Sequence, residues 1–179
     1  MLLGSLGAAL LLASGRGVAG GIAVQAVSVL DGVDGELARL RLRSSPKGAM
    51  LDGMLDRLAD AAIISGFALW AVPLASTRLV ILLSCLALTG SMLSMASKDR
   101  AKLLNLPAAP ERWIGRLLGG RDGRLLLLAI AALAGRPIAG LAAVAVTSLM
   151  ALSIRLIYVL GDATTPAGGT PIGRARSSR

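Results

Sequence analysis

Four aspartates are spaced so that they would pair on two helices. Asp31 and Asp34 are three positions apart and Asp52 and Asp56 are four apart, so each pair shares one face of a helix. The short connection 41–48 predicts that the two helices are antiparallel neighbours, with both pairs near the same end. Carboxylates that meet in one pocket repel each other unless a cation neutralises them. Because an all-oxygen donor set suits hard divalent cations, the spacing predicts a Mg²⁺ or Mn²⁺ site.

The composition of the chain excludes several other kinds of site. There is no histidine and only one cysteine, Cys85, which excludes imidazole catalysis, histidine-bound zinc and disulfides within the chain. Aromatic residues make up 2% of the sequence, so its net charge of +9 lacks the stacking surfaces of a protein that binds single-stranded nucleic acid. We therefore expect no nucleic-acid partner.

Long apolar blocks predict that the aspartates lie in a membrane protein. Apolar residues form 55% of the chain and charged residues 16%. The nearly uncharged blocks are 1–14, 17–30, 61–76, 79–97, 125–135 and 137–160. A spanning helix needs about 20 apolar residues. The second helix must then run to near residue 41, the third must start near 49 and the fifth at Arg121. We predict an all-α polytopic membrane protein with six transmembrane helices, the first truncated at its start.

The basic residues predict how these helices are oriented. They are concentrated between helices 2 and 3, between helices 4 and 5, and in the tail, whereas the opposite connections carry only Arg16, Arg78 and Arg136. The positive-inside rule places both termini in the cytoplasm of a multi-pass protein in the cell membrane. Residues 110–118 fit a short helix on the membrane surface. We expect a membrane domain over 1–161 and a disordered basic tail over 162–179.

Small and basic residues complete a motif around the aspartates. The string reads Asp31-x2-Asp34-Gly35-x2-Ala38-Arg39-x8-Gly48-x3-Asp52-x3-Asp56. It resembles the defining motif of the CDP-alcohol phosphatidyltransferase family at every fixed position. The six-helix pattern extends this resemblance beyond the motif to most of the chain.

The resemblance implies an enzyme. In this family an acceptor hydroxyl attacks the β-phosphorus of a CDP-alcohol, often CDP-diacylglycerol, and CMP leaves, a step of phospholipid biosynthesis. By resemblance, Asp31, Asp34 and Asp52 hold the metal, while Asp56 completes the metal site and takes the proton from the hydroxyl. Positions that touch the CDP group are Gly35, Ala38, Arg39, Ser45 and Gly48. The resemblance also implies a homodimer.

The sequence predicts the acceptor alcohol less specifically than the type of reaction. A phosphate on the acceptor would need basic residues facing the aspartates, and the candidates are Lys98, Arg121, Arg124 and Arg155. Arg155 interrupts an apolar helix, and an arginine inside the membrane is a functional candidate, although snorkelling to the interface explains it equally well. Asp60 and Arg57 lie outside the motif, and we expect structural ion pairs there. The acceptor would be an inositol phosphate or glycerol phosphate.

Three alternatives remain open at this point. Residues 31–36 and 120–124 are similar to di-inositol phosphate phosphate synthases, which would make a soluble product. A cation or proton transporter would instead use acids near the middle of the membrane on several helices, and the aspartates here crowd on two helices. A truncated homologue without activity could serve as a partner subunit.

Overall fold

The computed structural model describes residues 2–40, 46–103, 114 and 120–163, and all regular structure within them is helical. The helices are α1 (Leu2–Ala13), α2 (Gly17–Leu40), α3 (Pro46–Ala71), α4 (Thr77–Leu103), α5 (Arg121–Leu133) and α6 (Pro137–Ala163). A short 3-10 helix, Val72–Leu74, follows α3. The predicted all-α fold is therefore confirmed, and α2, α3 and α5 begin or end within a few residues of the predicted positions.

Three of the helical stretches are long and apolar enough to cross a membrane. They are Met50–Leu74, Thr77–Ala101 and Pro137–Leu160, while Leu2–Ala13 and Gly17–Val33 are shorter apolar helices. This agrees with a protein that passes through the membrane several times. The predicted surface helix lies outside the described residues except for Ile114, which is buried. Beyond Ala163, the predicted disordered tail also lies outside them.

Two tight turns with the same geometry connect α1 to α2 and α5 to α6. Gly15 and Gly135 have φ angles of 77° and 66°, in the left-handed region that glycine enters at little cost. In each turn the glycine N–H and the following arginine N–H donate to carbonyls of the preceding helix, which caps its C-terminus. Pro137 then occupies the first turn of α6, where its missing N–H costs nothing. The two turns make α1/α2 and α5/α6 antiparallel pairs.

The packed core lies between the helices at the end of the bundle away from the aspartates. Phe67 and Ile63 of α3 are fully buried against Leu12 of α1, and Leu128 and Leu141 of α5 and α6 belong to the same cluster. Close packing of α1 on α3 depends on Gly66, because a Cβ atom there would lie 2.5 Å from the carbonyl oxygen of Ala9. This core fixes α3 relative to α1, α4 and α6.

One set of contacts between the helices was not predicted. Helix α1 packs against both α2 and α3, and α2 also packs against α5. Gly4 of α1 lies against Val27, and Asp31 is one helical turn further along α2. The expectation that α2 and α3 are antiparallel neighbours stays a prediction.

Candidate functional site

Three carboxylates from two helices converge beyond the end of α1. One carboxylate oxygen from each of Asp31, Asp52 and Asp56 lies within 4.8 Å of the others. Asp31 comes from α2, and the other two are one turn apart on α3, which explains how they reach the same point. Asp31 and Asp56 are partly buried and Asp52 is exposed. The donor set is all-oxygen and held by rigid helices, so it fits a hard divalent cation such as Mg²⁺ or Mn²⁺.

The remaining motif residues are described only in part. The backbone of α2 continues as helix through Asp34, Gly35, Ala38 and Arg39, whose side chains lie outside the described atoms. Ser45 also lies outside the described residues, and Gly48 is exposed in the first turn of α3. The placement of Asp34 in the metal site and the roles of the residues expected to touch CDP remain predictions.

Arg121 connects the acidic cluster to α5. It is the first residue of that helix, and its guanidinium group faces three aspartates. One terminal nitrogen pairs with Asp31 at 2.5 Å and the other with Asp56 at 3.0 Å. The Nε atom donates to Asp60 at 3.2 Å. The sequence predicted that Arg121 could face the aspartates as a site for an acceptor phosphate. It did not predict the direct ion pairs, because nothing local in the sequence links positions 31 and 121.

Asp60 anchors the arginines one turn deeper in α3. It is only 4% exposed, and its second oxygen lies 3.5 Å from a terminal nitrogen of Arg124, which is 3% exposed. A buried carboxylate between two guanidinium groups is electrostatically compensated. The expected structural ion pair at Asp60 is therefore present. Arg57 also forms its expected ion pair, with Asp99 of α4, and donates to the carbonyl oxygen of Gly53.

A second buried arginine lies between α4 and α6. Arg155 is 6% exposed, and one of its nitrogens donates to the carbonyl oxygen of Ser94 at 2.7 Å, to the Ser94 hydroxyl at 2.9 Å and to the Ser97 hydroxyl at 3.2 Å. It is near enough to Arg124 for the two charges to repel each other. Lys98 is exposed on α4, next to Ser97. Arg155 is thus held inside the protein rather than extended to the membrane surface.

The described part of the site therefore combines an anionic half and a cationic half. Asp31, Asp52 and Asp56 can bind a cation, and the three arginines Arg121, Arg124 and Arg155 lie on the sides of α5 and α6 that face the bundle. Such a pairing suits the transfer of a phosphate group to an acceptor that carries a second phosphate, since metal ions can neutralise the first and fixed basic residues can bind the second.

Comparison with known proteins agrees with this chemistry. The family model described as CDP-alcohol phosphatidyltransferase matches residues 1–165. The chain is 48% identical over 141 residues to the bifunctional IPC transferase and DIPP synthase of Rubrobacter xylanophilus, an alignment covering 79% of this chain and 31% of that protein. It is 39% identical over 79 residues to the phosphatidylinositol phosphate synthase of Streptomyces avermitilis, covering 44% and 32% of the two chains.

A relative of more similar length is the archaetidylinositol phosphate synthase of Methanothermobacter thermautotrophicus. It is 29% identical over 153 residues, which is 82% of this chain and 72% of that protein. The chain spans about a third of the length of the Rubrobacter and Streptomyces relatives. The family match nevertheless extends over residues 1–165, which include both halves of the site. The chain belongs to the CDP-alcohol phosphatidyltransferase family.

Proposed function

We propose that the protein transfers a substituted phosphate group from a CDP-alcohol to an acceptor hydroxyl and releases CMP, in a reaction that depends on a divalent metal. The observation that carries this proposal is the convergence of Asp31, Asp52 and Asp56 from two helices, within 4.8 Å of one another. The family match supports the same reaction class. It also gives no support to the transporter alternative, because the relatives are named as transferases and synthases.

The aspartates would have two roles, metal binding and proton transfer. Asp31, Asp34 and Asp52 would hold Mg²⁺ or Mn²⁺, which neutralises charge on the pyrophosphate when it is bound. Asp56 would complete this site and accept the proton of the acceptor hydroxyl, a role that needs a carboxylate within hydrogen-bond reach of the acceptor. The CDP group would bind along the end of α2 and the start of α3, at Gly35, Ala38, Arg39, Ser45 and Gly48.

The cationic half of the site favours an acceptor that carries a phosphate. Arg124 and Arg155 are buried, and with Arg121 and Lys98 they could bind a phosphate beside the aspartates. The names of the relatives contain inositol phosphate products, so an inositol phosphate is our first choice of acceptor, ahead of glycerol phosphate. CDP-diacylglycerol is the proposed donor, and a di-inositol product made from a soluble CDP-alcohol is the alternative.

The remaining proposals concern the state of the protein in the cell. We propose a homodimer in the cell membrane, with both termini in the cytoplasm. The excess of basic residues at the end of the bundle that carries the aspartates supports this orientation. The substrates would then reach the site from the cytoplasmic side.

The test is a product analysis with the full chain reconstituted in lipid. CDP-diacylglycerol or CDP-inositol is supplied with inositol phosphate, glycerol phosphate or no acceptor, and products are identified by mass. We expect CMP and a new phosphodiester only with Mg²⁺ or Mn²⁺ and an acceptor. Asp56→Asn should lower turnover by at least about a hundredfold, the scale of a lost general base. The matched control is Asp122→Asn, an exposed aspartate at the start of α5.

Three outcomes would contradict the proposal. CMP release that does not need a divalent metal would reject the metal centre. Undiminished turnover in Asp56→Asn would reject the role of that carboxylate. A complete absence of CMP release with every donor and acceptor would reject the reaction class for this chain.

A further inference from the structure

Arg121 occupies a place where it would meet a bound metal ion. Its terminal nitrogens bind Asp31 and Asp56, which are two of the three carboxylates within 4.8 Å of one another. The two aspartates lie on different helices, α2 and α3. The guanidinium group thus pairs with the same carboxylates that would hold a divalent cation.

The described carboxylates outnumber the arginines that pair with them. Asp31, Asp52, Asp56 and Asp60 are four carboxylates, and the guanidinium groups that form ion pairs within this set are those of Arg121 and Arg124. A divalent cation among the carboxylates would offset the excess of negative charge there. It would also lie a few ångströms from the guanidinium group of Arg121, where like charges repel strongly in a partly buried site.

We propose that Arg121 is the resident counter-cation of the metal site, and that it competes with the divalent metal and turns away when the metal binds. The inference rests on the proposed function, since it assumes that the aspartates bind a metal. Without metal, Arg121 keeps the carboxylates of α2 and α3 from repelling each other. With metal, its terminal nitrogens are released from Asp31 and Asp56.

The contact with Asp60, which lies deeper in the protein, lets the terminal nitrogens of Arg121 move while the rest of the side chain stays anchored. The Nε atom of Arg121 donates to Asp60, which is also paired with Arg124 and is almost fully buried. This contact can persist while the terminal nitrogens change partners. The released nitrogens are then available to an anion, so metal binding and anion binding at Arg121 strengthen each other reciprocally.

A structural brace would behave differently, and the sign of one measurement separates the two roles. If Arg121 only holds the acids in position, its removal loosens the site and metal binding weakens or stays unchanged. If Arg121 competes with the metal, its removal makes metal binding tighter. The measurement is therefore metal affinity, which does not depend on turnover.

The experiment titrates Mn²⁺ alone into the reconstituted full chain and follows free Mn²⁺ by electron paramagnetic resonance. We expect Arg121→Gln to lower the dissociation constant by about tenfold, because one competing charge is removed a few ångströms from the ion. Arg121→Lys keeps the charge and should stay within about threefold of the unsubstituted protein. The matched control is Arg136→Gln, which removes an exposed arginine beyond the other end of α5 and should change nothing. An unchanged or weaker affinity in Arg121→Gln overturns the inference.

A second measurement needs no substitution and remains decisive if Arg121→Gln fails to fold. Phenylglyoxal modifies guanidinium groups, and its rate at Arg121 and Arg136 can be followed by mass spectrometry. Mg²⁺ should raise the rate at Arg121 several-fold and leave the rate at Arg136 unchanged. Inorganic phosphate should then protect Arg121 only when Mg²⁺ is present. A rate at Arg121 that Mg²⁺ lowers or leaves unchanged overturns the inference.

The controls distinguish this inference from the proposed function. If the unsubstituted protein does not bind Mn²⁺, or if Asp52→Asn leaves binding intact, the metal centre itself is rejected, and the inference with it. If the unsubstituted protein binds Mn²⁺ through the aspartates and Arg121→Gln does not bind it more tightly, only the role of Arg121 is rejected.

Discussion

Two aspartates of α3 and α4 form ion pairs in very different surroundings. Asp60 is 4% exposed and lies between Arg121 and Arg124, whereas the Asp99 side chain is 56% exposed and meets Arg57 near the end of α4. Removal of one member of a buried pair leaves an uncompensated charge, while an exposed pair is screened by water. The two positions should therefore differ sharply in their effect on stability.

We predict that Asp60→Asn lowers the free energy of unfolding by about 3–5 kcal/mol, because it removes the buried negative charge that two guanidinium groups share. Asp99→Asn should cost less than about 1 kcal/mol. The measurement is denaturant unfolding in detergent, followed by tryptophan fluorescence. Equal losses of stability in the two variants would contradict the assignment of Asp60 as the buried anchor of the arginines.

At the residue scale, the spacing of residues predicted which aspartates share a helix face, but not which arginines pair with them. Asp52 and Asp56 could be placed on one face because a helix brings positions i and i+4 together. The contact of Arg121 with Asp31 joins positions 90 apart in the sequence. Such a contact depends on how α2 and α5 pack, which no local pattern encodes. The sequence named Arg121 as one of four basic residues that could face the aspartates, but it did not predict the direct ion pairs with Asp31 and Asp56.

At the element scale, the contact between α1 and α3 holds in place the helix that carries Asp52 and Asp56. Gly66 of α3 lies against the backbone of Ala9, and an added Cβ atom would come within 2.5 Å of the Ala9 carbonyl oxygen. Backbone cannot move aside as a flexible side chain can. Gly7 of α1, in contrast, has open space around the position of a Cβ atom.

We predict that Gly66→Ala lowers the free energy of unfolding by about 1–3 kcal/mol, the usual cost of overpacking a close contact. Gly7→Ala should be neutral or stabilising by up to about 1 kcal/mol, because alanine favours the helix and meets no neighbour. Unfolding in detergent measures both. A Gly66→Ala protein as stable as Gly7→Ala would show that α1 and α3 are not packed so closely.

The ends of the helices could be predicted from the sequence, but not all of their neighbours. Length requirements in a membrane placed the end of α2 near residue 41 and the start of α5 at Arg121, and the structure has them at Leu40 and Arg121. The packing of α1 against both α2 and α3 was not predicted. A short connection constrains the ends of two helices without fixing the angle between them.

At the scale of the whole molecule, charge is distributed unequally between the two ends of the bundle. The turns at Gly15 and Gly135 each carry one arginine, whereas the opposite end carries most of the basic residues and the aspartates. From the positive-inside rule we propose that the end with the aspartates faces the cytoplasm.

Single cysteines can test this orientation in a Cys85→Ser background. We expect a membrane-impermeant maleimide to label Ser14→Cys and Ala134→Cys in intact cells, because both residues are exposed and the proposed orientation places their turns outside the cell. Lys47→Cys, exposed at the start of α3, should react only after permeabilisation. Labelling of Lys47→Cys in intact cells, with protection of Ser14→Cys, would reverse the proposed orientation.

The most direct test of the account asks whether α2 and α3 contribute to one metal centre that performs the reaction. Mn²⁺ affinity and metal-dependent CMP release are measured for Asp31→Asn, Asp52→Asn and the control Asp122→Asn. We predict that either of the first two substitutions weakens Mn²⁺ binding by at least about tenfold and abolishes most CMP release, since each removes one ligand of the same ion. The control should match the unsubstituted protein. Unchanged Mn²⁺ binding and CMP release in Asp31→Asn or Asp52→Asn would show that these helices do not share a catalytic metal site.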